Sequence, residues 1–349
     1  MQRLNDPLPA HRPSHLISTL GNVEVVWKMK PARQLPVSKH FWLRELAEGV
    51  YAVIHIDGGT AIGNAGIVDL GDRTVVYDTL FTPQAGVDLR AAAEALTGRP
   101  VDAVINSHWH NDHIWGNQAF DANTDIVSSE ETRGMIIATR GHGAFDQFMA
   151  NAEAELESTR AQFQATEDQG KRRQLALWID YWQGVVEEKP ILQVRAPHLT
   201  FTERMTFHGP TRSAELIAYA GGHTESDAVL FLSQEGIAFM SDLLFIGHHP
   251  YLGGGDPGRL LHILDQVSEL APKLLVPGHG PVGTAESLEH MRQYVITLDG
   301  LARQMVQDGE AEEIIDTMTI PEPYDDWLFA SFFPGNVHFL FQRRLREQR

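Results

Sequence analysis

Apolar residues along this chain follow two spacings, and their alternation predicts the order of elements. Val50-Tyr51-Ala52-Val53-Ile54-His55-Ile56 is a nearly unbroken apolar run of strand length. Asp57-Gly58-Gly59-Thr60 closes it with turn residues. Asn64 to Leu70 and Thr74 to Tyr77 flank Gly71-Asp72 and predict a hairpin ending at Asp78. The spacing then changes. Val87, Leu89, Ala92, Ala93 and Leu96 recur at helical intervals behind Pro83, so residues 83–97 are predicted helical. Val101 to Asn106 returns to a buried strand. In the second half, strands are predicted between Leu199 and Phe245, with short apolar runs at Leu216–Tyr219, Gly236–Met240 and Leu274–Val276. Amphipathic helices are predicted over Pro257–Leu270 and residues 284–307.

Residues 141–189 interrupt this alternation. They are charged and helix-forming, and Gly170 falls mid-way, which predicts an inserted hairpin of two antiparallel helices. Trp178, Tyr181, Trp182 and Val185 form a stripe at helical spacing. Such a stripe needs a cover, because large exposed apolar patches are unusual on monomers. Three covers are available: Phe145, Phe148, Met149, Leu156 and Phe163 of the partner helix, the body of the protein, or a second subunit in a homodimer. The tail from Pro321 to Arg349 is rich in aromatic residues and ends in Arg343-Arg344-Leu345-Arg346. It reads as a C-terminal helix packed on the body, with rings able to line an apolar pocket. The expected organisation is an N-terminal arm (1–41), a main domain (42–307) carrying the insertion, and an aromatic-rich extension (308–349).

Composition narrows the class. The chain has 349 residues, 43% hydrophobic and 21% charged, as in a globular protein. No apolar run approaches the roughly 20 residues that span a bilayer. Met1 to His40 holds prolines but no apolar core of a secretory signal. The formal charge of −18 counts against a nucleic-acid partner and against an anionic membrane surface. With no cysteine, a metal could be held only by His, Asp or Glu, and a cytoplasmic location is expected.

The chemistry concentrates in Ser107-His108-Trp109-His110-Asn111-Asp112-His113, just after the strand Val101–Asn106. Residues two apart in an extended chain share a face, so His108 and His110 point together. A helix starting beyond them would place Asp112 at its positive end. Further candidates follow later strands: His223 in Gly221-Gly222-His223-Thr224, Asp242 in Ser241-Asp242, and His279 in Pro277-Gly278-His279-Gly280. Glycine beside His223 and His279 permits sharp turns and close approach. Asp78, at the end of its strand, reads either as a turn acid or as a carboxylate orienting a metal-binding histidine. Ser226-Asp227 reads as a turn feature. Asp57–Gly63, His248–Gly255 and the aromatic tail are expected to wall the pocket, with His248 or His249 either reaching a leaving group or lying on the surface.

Over about residues 42–300, these motifs and their order resemble the metallo-β-lactamase superfamily of metal-dependent hydrolases. The resemblance implies an α+β fold, a four-layered αββα sandwich, here with a helical-hairpin insertion and a C-terminal extension. It implies two metal ions: His108, His110 and His223 at the first, Asp112, His113 and His279 at the second, and Asp242 bridging. Asp112 would also take part in catalysis. This donor set suits two Zn2+ ions, and also iron or manganese. The implied activity is hydrolysis of an ester, lactone, thioester or related bond of a small molecule by a metal-bridging hydroxide. In the resemblance, an aspartate at 242 looks like the glyoxalase II, lactonase and arylsulfatase-type branches, since zinc β-lactamases usually have cysteine or serine there. Quorum-signal lactonases often carry tyrosine three residues later, where this chain has Phe245, and the tail arginines do not match a glutathione-binding region. Two alternatives share the pattern: a mononuclear-iron persulfide dioxygenase-like enzyme, and a non-catalytic metabolite sensor. Intact Asp112 and Asp242 weigh against the sensor.

Overall fold

The structure, a computed structural model, describes residues 34–141 and 143–347. Most of the expected N-terminal arm, residues 1–33, lies outside the described residues. The elements form two sheets. The first runs in chain order: β1 (Phe41–Ala47), β2 (Val50–His55), β3 (Ala65–Asp69), β4 (Thr74–Tyr77), β5 (Ala103–Ile105), β6 (Asp125–Ser129) and β7 (Leu199–Phe201). β1 to β4 are antiparallel neighbours, and β4 to β7 are parallel ones. The second sheet holds β8 (Arg204–His208), β9 (Ser213–Ala220), β10 (Ser226–Leu232), β11 (Ile237–Phe245) and β12 (Leu274–His279). Its pairs are antiparallel except β11 with β12.

Between the sheets lies one apolar core, to which the first contributes Val50, Tyr77 and Ile105 and the second Leu216, Leu230 and Phe239. Phe239 lies flat on Gly66, where a Cβ would come within 2.3 Å of the ring. β10 and β11 are buried along their whole length because both faces are covered, which explains their continuous apolar sequence. Helices α6 (Pro257–Glu269), α7 (Ala285–Asp308) and α8 (Phe332–Glu347) cover the outer face of the second sheet through Leu264, Leu298 and Val337. Helix α1 (Pro83–Thr97) packs beside β4. It runs over the residues that its apolar spacing predicts. The Thr82 hydroxyl accepts the Ala85 N–H at its start, and Gly98 closes it at φ 73°. The layers are those of the αββα sandwich.

The first sheet also carries α2 (Asn111–Ile114), α3 (Glu130–Gly141), α4 (Ala144–Ala165) and α5 (Gln169–Glu188). α4 and α5 form the expected hairpin, but its turn is Thr166–Asp168. Gly170 sits inside α5. The break falls earlier because Asp168 caps α5, accepting the Lys171 N–H at 2.7 Å. Arg172 closes the turn by donating to the Phe163 and Thr166 carbonyls while its guanidinium stacks on Phe163. The aromatic stripe is shared out. Val185 is fully buried, Tyr181 stacks on Phe81 at 4.6 Å, and Trp182 packs on Phe148 at 5.3 Å. Trp178 turns instead to Phe329 and Phe332 of the tail.

Phe239 is wholly buried at the centre of the sandwich and faces a glycine that offers no side chain to refill its space. Phe239→Ala is expected to cost about 3–5 kcal/mol, read as a lower urea midpoint at unchanged slope.

Candidate metal centre

β5 delivers the His-rich motif. The chain bends after Asn106, and α2 begins at Asn111, so Asp112 lies in its first turn. From the second sheet come His223, in the turn between β9 and β10, Asp242, within β11, and His279, the last residue of β12. All seven predicted residues converge. Ligand-capable atoms of His108, His110, His223 and Asp242 lie within 4.8 Å of one another, and so do those of Asp112, His113 and His279.

Asp242 stands between the two groups. Its Oδ2 is 3.1 Å from His223 Nε2 and 3.7 Å from His108 Nε2. Its Oδ1 is 3.1 Å from His113 Nε2 and 3.5 Å from His279 Nε2. Asp112 Oδ2 completes the second group, 3.3 Å from His279 Nε2 and 3.4 Å from His113 Nε2. The residues fit metal ions by a test internal to the fold. His108 Nε2, His113 Nε2 and Asp242 Oδ1 are buried with no hydrogen-bond partner. Such atoms are costly to bury unless something satisfies them, and a cation would satisfy all three.

Charge is arranged to the same end. Burial, then the neighbouring His113, hold the His108 imidazole well below 6.5, and burial with His223 lowers His110 to about 3. Burial opposes charge on His113 and His279 too. There the carboxylates win: Asp242, Asp112 and Asp78 raise His113 well above 6.5, and Asp242 and Asp112 raise His279 to about 9. Burial likewise favours the neutral forms of Asp112 and Asp242, yet His113 and His279 pull both well below 3.8. The carboxylates thus favour the protonated forms of His113 and His279, and a cation bound there would compete with those protons.

Several partners hold this set in place, and only Asp78 was readable as a candidate. Asp78 is fully buried and accepts four hydrogen bonds: from Ser107 N–H, Ser107 Oγ, Ser241 Oγ and His113 Nδ1, at 2.8–2.9 Å. It therefore fixes the His113 tautomer and leaves Nε2 facing the centre. Ser107 and Ser241 carry no sequence signal, being common residues beside conspicuous ones. Asp227 accepts the N–H groups of His223 and Thr224 and the Thr224 hydroxyl, shaping the turn that presents His223. Asn64 bonds the carbonyls of Pro277 and Gly280 on both sides of His279 and accepts from the ring of His55. Phe245 stacks on His279 at 4.9 Å and orients that ring.

A cavity of about 290 Å³ opens onto the centre. Ile62, Tyr251, Phe329 and Phe332 line it, one or more from each segment expected to wall it, and Trp178 and Tyr181 join them from the hairpin. His248 and His249 do not line it, and neither is on the surface. His248 Nδ1 donates to the Ile246 carbonyl, and His249 Nδ1 pairs with the Tyr294 hydroxyl, both in buried positions. The aromatic tail covers this loop, and the Leu328 carbonyl accepts the His249 N–H. A larger apolar cavity, about 450 Å³, lies beyond Trp109 and Ile114 and is lined by none of the seven residues.

A two-sheet sandwich with this cluster of histidines and aspartates defines a metal-dependent hydrolase fold. The chain belongs to the metallo-β-lactamase superfamily, whose family model matches residues 58–279. Solved structures share the fold. A metallo-β-lactamase from Pontibacter korlensis is 18% identical over 73% of this chain and 98% of its own, with a TM-score of 0.50. The metallo-β-lactamase FIM-1 from Pseudomonas aeruginosa, in its mono-zinc form, is 14% identical over 74% and 96%, with a TM-score of 0.53. A metallo-β-lactamase from Hirschia baltica is 15% identical over 73% and 97%, with a TM-score of 0.52. Comparison with curated proteins gives no match. No helix among the described residues is long and apolar enough to cross a membrane.

Gly278 is required by the centre itself, since a Cβ there would lie 1.8 Å from Asp242 Oδ1. Gly278→Ala is expected to displace that carboxylate and lower stability by about 1–3 kcal/mol. Gly335, in α8, has open space around its Cβ position and serves as control. Gly335→Ala should be neutral or stabilising by about 0.5–1 kcal/mol, and thermal denaturation of the two variants compares them directly.

Proposed function

We propose that this protein is a metal-dependent hydrolase that cleaves an ester, lactone, thioester or related bond of a small molecule. The supporting observation is the placement of Asp242, with one carboxylate oxygen facing each group of candidate ligands. His108, His110 and His223 would hold one ion, Asp112, His113 and His279 the other, and Asp242 would be shared. Zinc suits these donors best, with iron or manganese as substitutes. Bound there, the ions would polarise the scissile group and activate water at neutral pH.

The protein's own residues do the rest. Asp112 lines the cavity and is the more exposed of the two central carboxylates. Its role in this reading is to accept a hydrogen bond from the attacking water and orient it. Asp78 holds His113 by its Nδ1, so His113 takes no part in proton transfer from that side. The rings of the cavity wall exclude bulk water and orient the substrate. Asp242, an aspartate where zinc β-lactamases differ, favours ester-like substrates over β-lactams. The acidic charge favours a small-molecule substrate over a nucleic-acid or membrane partner, and the absence of cysteine fits a cytoplasmic setting. The hairpin stripe finds cover within its own chain, so a homodimer does not depend on it.

Protein purified without chelator should contain close to two transition-metal ions per chain by elemental analysis. A single ion that added metal cannot raise would argue for the mononuclear alternative. Asp242→Ala should lose metal and hydrolysis together while keeping its fold by circular dichroism. Asp78→Ala should keep the full set of candidate ligands yet weaken metal affinity about 10- to 100-fold in chelator competition, because His113 loses its orienting partner.

A further inference from the structure

The cavity wall carries information that the ligand set does not. The ionisable side chains lining it are His110, Asp112, His223, Asp242, Tyr181, Tyr251 and His279, and the acids and histidines among them all belong to the candidate metal centre. No lysine or arginine lines it among the described residues. Away from the centre its polar groups are neutral: the Asn111 amide and the hydroxyls of Tyr181 and Tyr251. The Asn111 amide already donates to Tyr181 Oη at 3.2 Å, which leaves the tyrosine proton for a ligand. The remaining wall is apolar and mostly aromatic.

These rings are fixed in place. Trp178 packs at 5.8 Å from Phe329 and 5.6 Å from Phe332, and Phe332 lies 5.8 Å from Tyr251. Hydrogen bonds tie the hairpin to the tail across them. Gln174 donates to the Trp327 carbonyl at 2.8 Å and accepts the Ala330 N–H at 3.1 Å, and Trp178 Nε1 donates to Ser331 Oγ at 3.1 Å. A wall held this way loses little entropy when a ligand docks. An anionic group pushed against it would shed water and gain no counter-charge, which weakens its binding. A flat neutral group would lose water favourably and meet ring faces at stacking distance. The volume admits one such group beside the scissile bond.

We infer that the substrate is an uncharged small ester-type compound whose acyl or alcohol part is an aromatic or compact apolar ring, seated against Trp178, Phe329 and Phe332. The inference rests on the hydrolase reading for its chemistry, but the binding preference stands apart from it. Two matched pairs test it. Phenyl acetate and 4-acetoxybenzoate differ by one carboxylate, and acetanilide and 4-acetamidobenzoate are their slowly hydrolysed amide counterparts. On the metal-loaded protein, kcat/KM for phenyl acetate should exceed that for 4-acetoxybenzoate by about tenfold or more, in line with one unpaired buried charge. Acetanilide should bind more tightly than 4-acetamidobenzoate by a similar factor, followed by quenching of tryptophan fluorescence in metal-loaded protein. Phe332→Leu should raise KM for the neutral ester several-fold with little change in kcat. Ile62→Lys, which puts a cation on the wall, should narrow or reverse the preference. If neither ester is cleaved but acetanilide still binds preferentially, the ester chemistry taken from the hydrolase reading fails and the cavity preference survives. Equal binding, preference for the anions, or no binding of either amide overturns the inference.

Discussion

The structure turns on one buried carboxylate, Asp242, which faces four imidazoles within 4 Å. Everything close to it makes room or supplies support. Gly278 has no side chain, so β12 can pass against the carboxylate. Ser241, just before it, takes φ 46°, unusual for a residue with a Cβ, and turns its hydroxyl to Asp78. Asp78 in turn belongs to the first sheet and grips His113. A short chain of hydrogen bonds therefore joins the strand that carries Asp242 to the strand that precedes the His-rich motif. The two sheets are registered at the point where their ligands must meet.

Electrostatics then explains why so many titratable groups can share one buried site. His108 and His110 are pushed neutral by burial, whereas His113 and His279 are drawn positive by the carboxylates. The split follows from position. The second group sits against both Asp112 and Asp242 within 3.5 Å, while in the first group His108 and His223 have their close carboxylate contacts with Asp242. A cation entering either half changes this balance, so the two halves are not independent.

Much of this was legible in the sequence because the relevant signals are dense. H-x-H-x-D-H is a compact motif, and His223, Asp242 and His279 each stand out at the end of an apolar run. The helix over 83–97 was legible because it is amphipathic and capped at both ends. β6 and α3 were passed over: Asp125–Ser129 holds only two strongly apolar residues, and α3 follows it without an intervening turn signal. The hairpin turn was placed at Gly170 on the strength of a glycine, when an aspartate cap at 168 decides it. Ser107, Ser241 and Asn64 were invisible for a different reason. Their roles depend on partners up to 216 positions away, and no local pattern encodes such a bond. His248 and His249 illustrate the converse, conspicuous residues that are buried outside the cavity lining.

The hairpin and the tail, tied by Gln174, have one further meaning. Trp178, Tyr181, Phe329 and Phe332 come from two stretches that supply none of the seven candidate ligands. The candidate ligands and most of the aromatic wall thus come from separate passages of the chain. Substitutions among the wall rings of α5 and the tail would reshape the cavity without removing a candidate ligand. Because Gln174 joins those passages through main-chain atoms, the link would survive almost any change of the ring side chains around it.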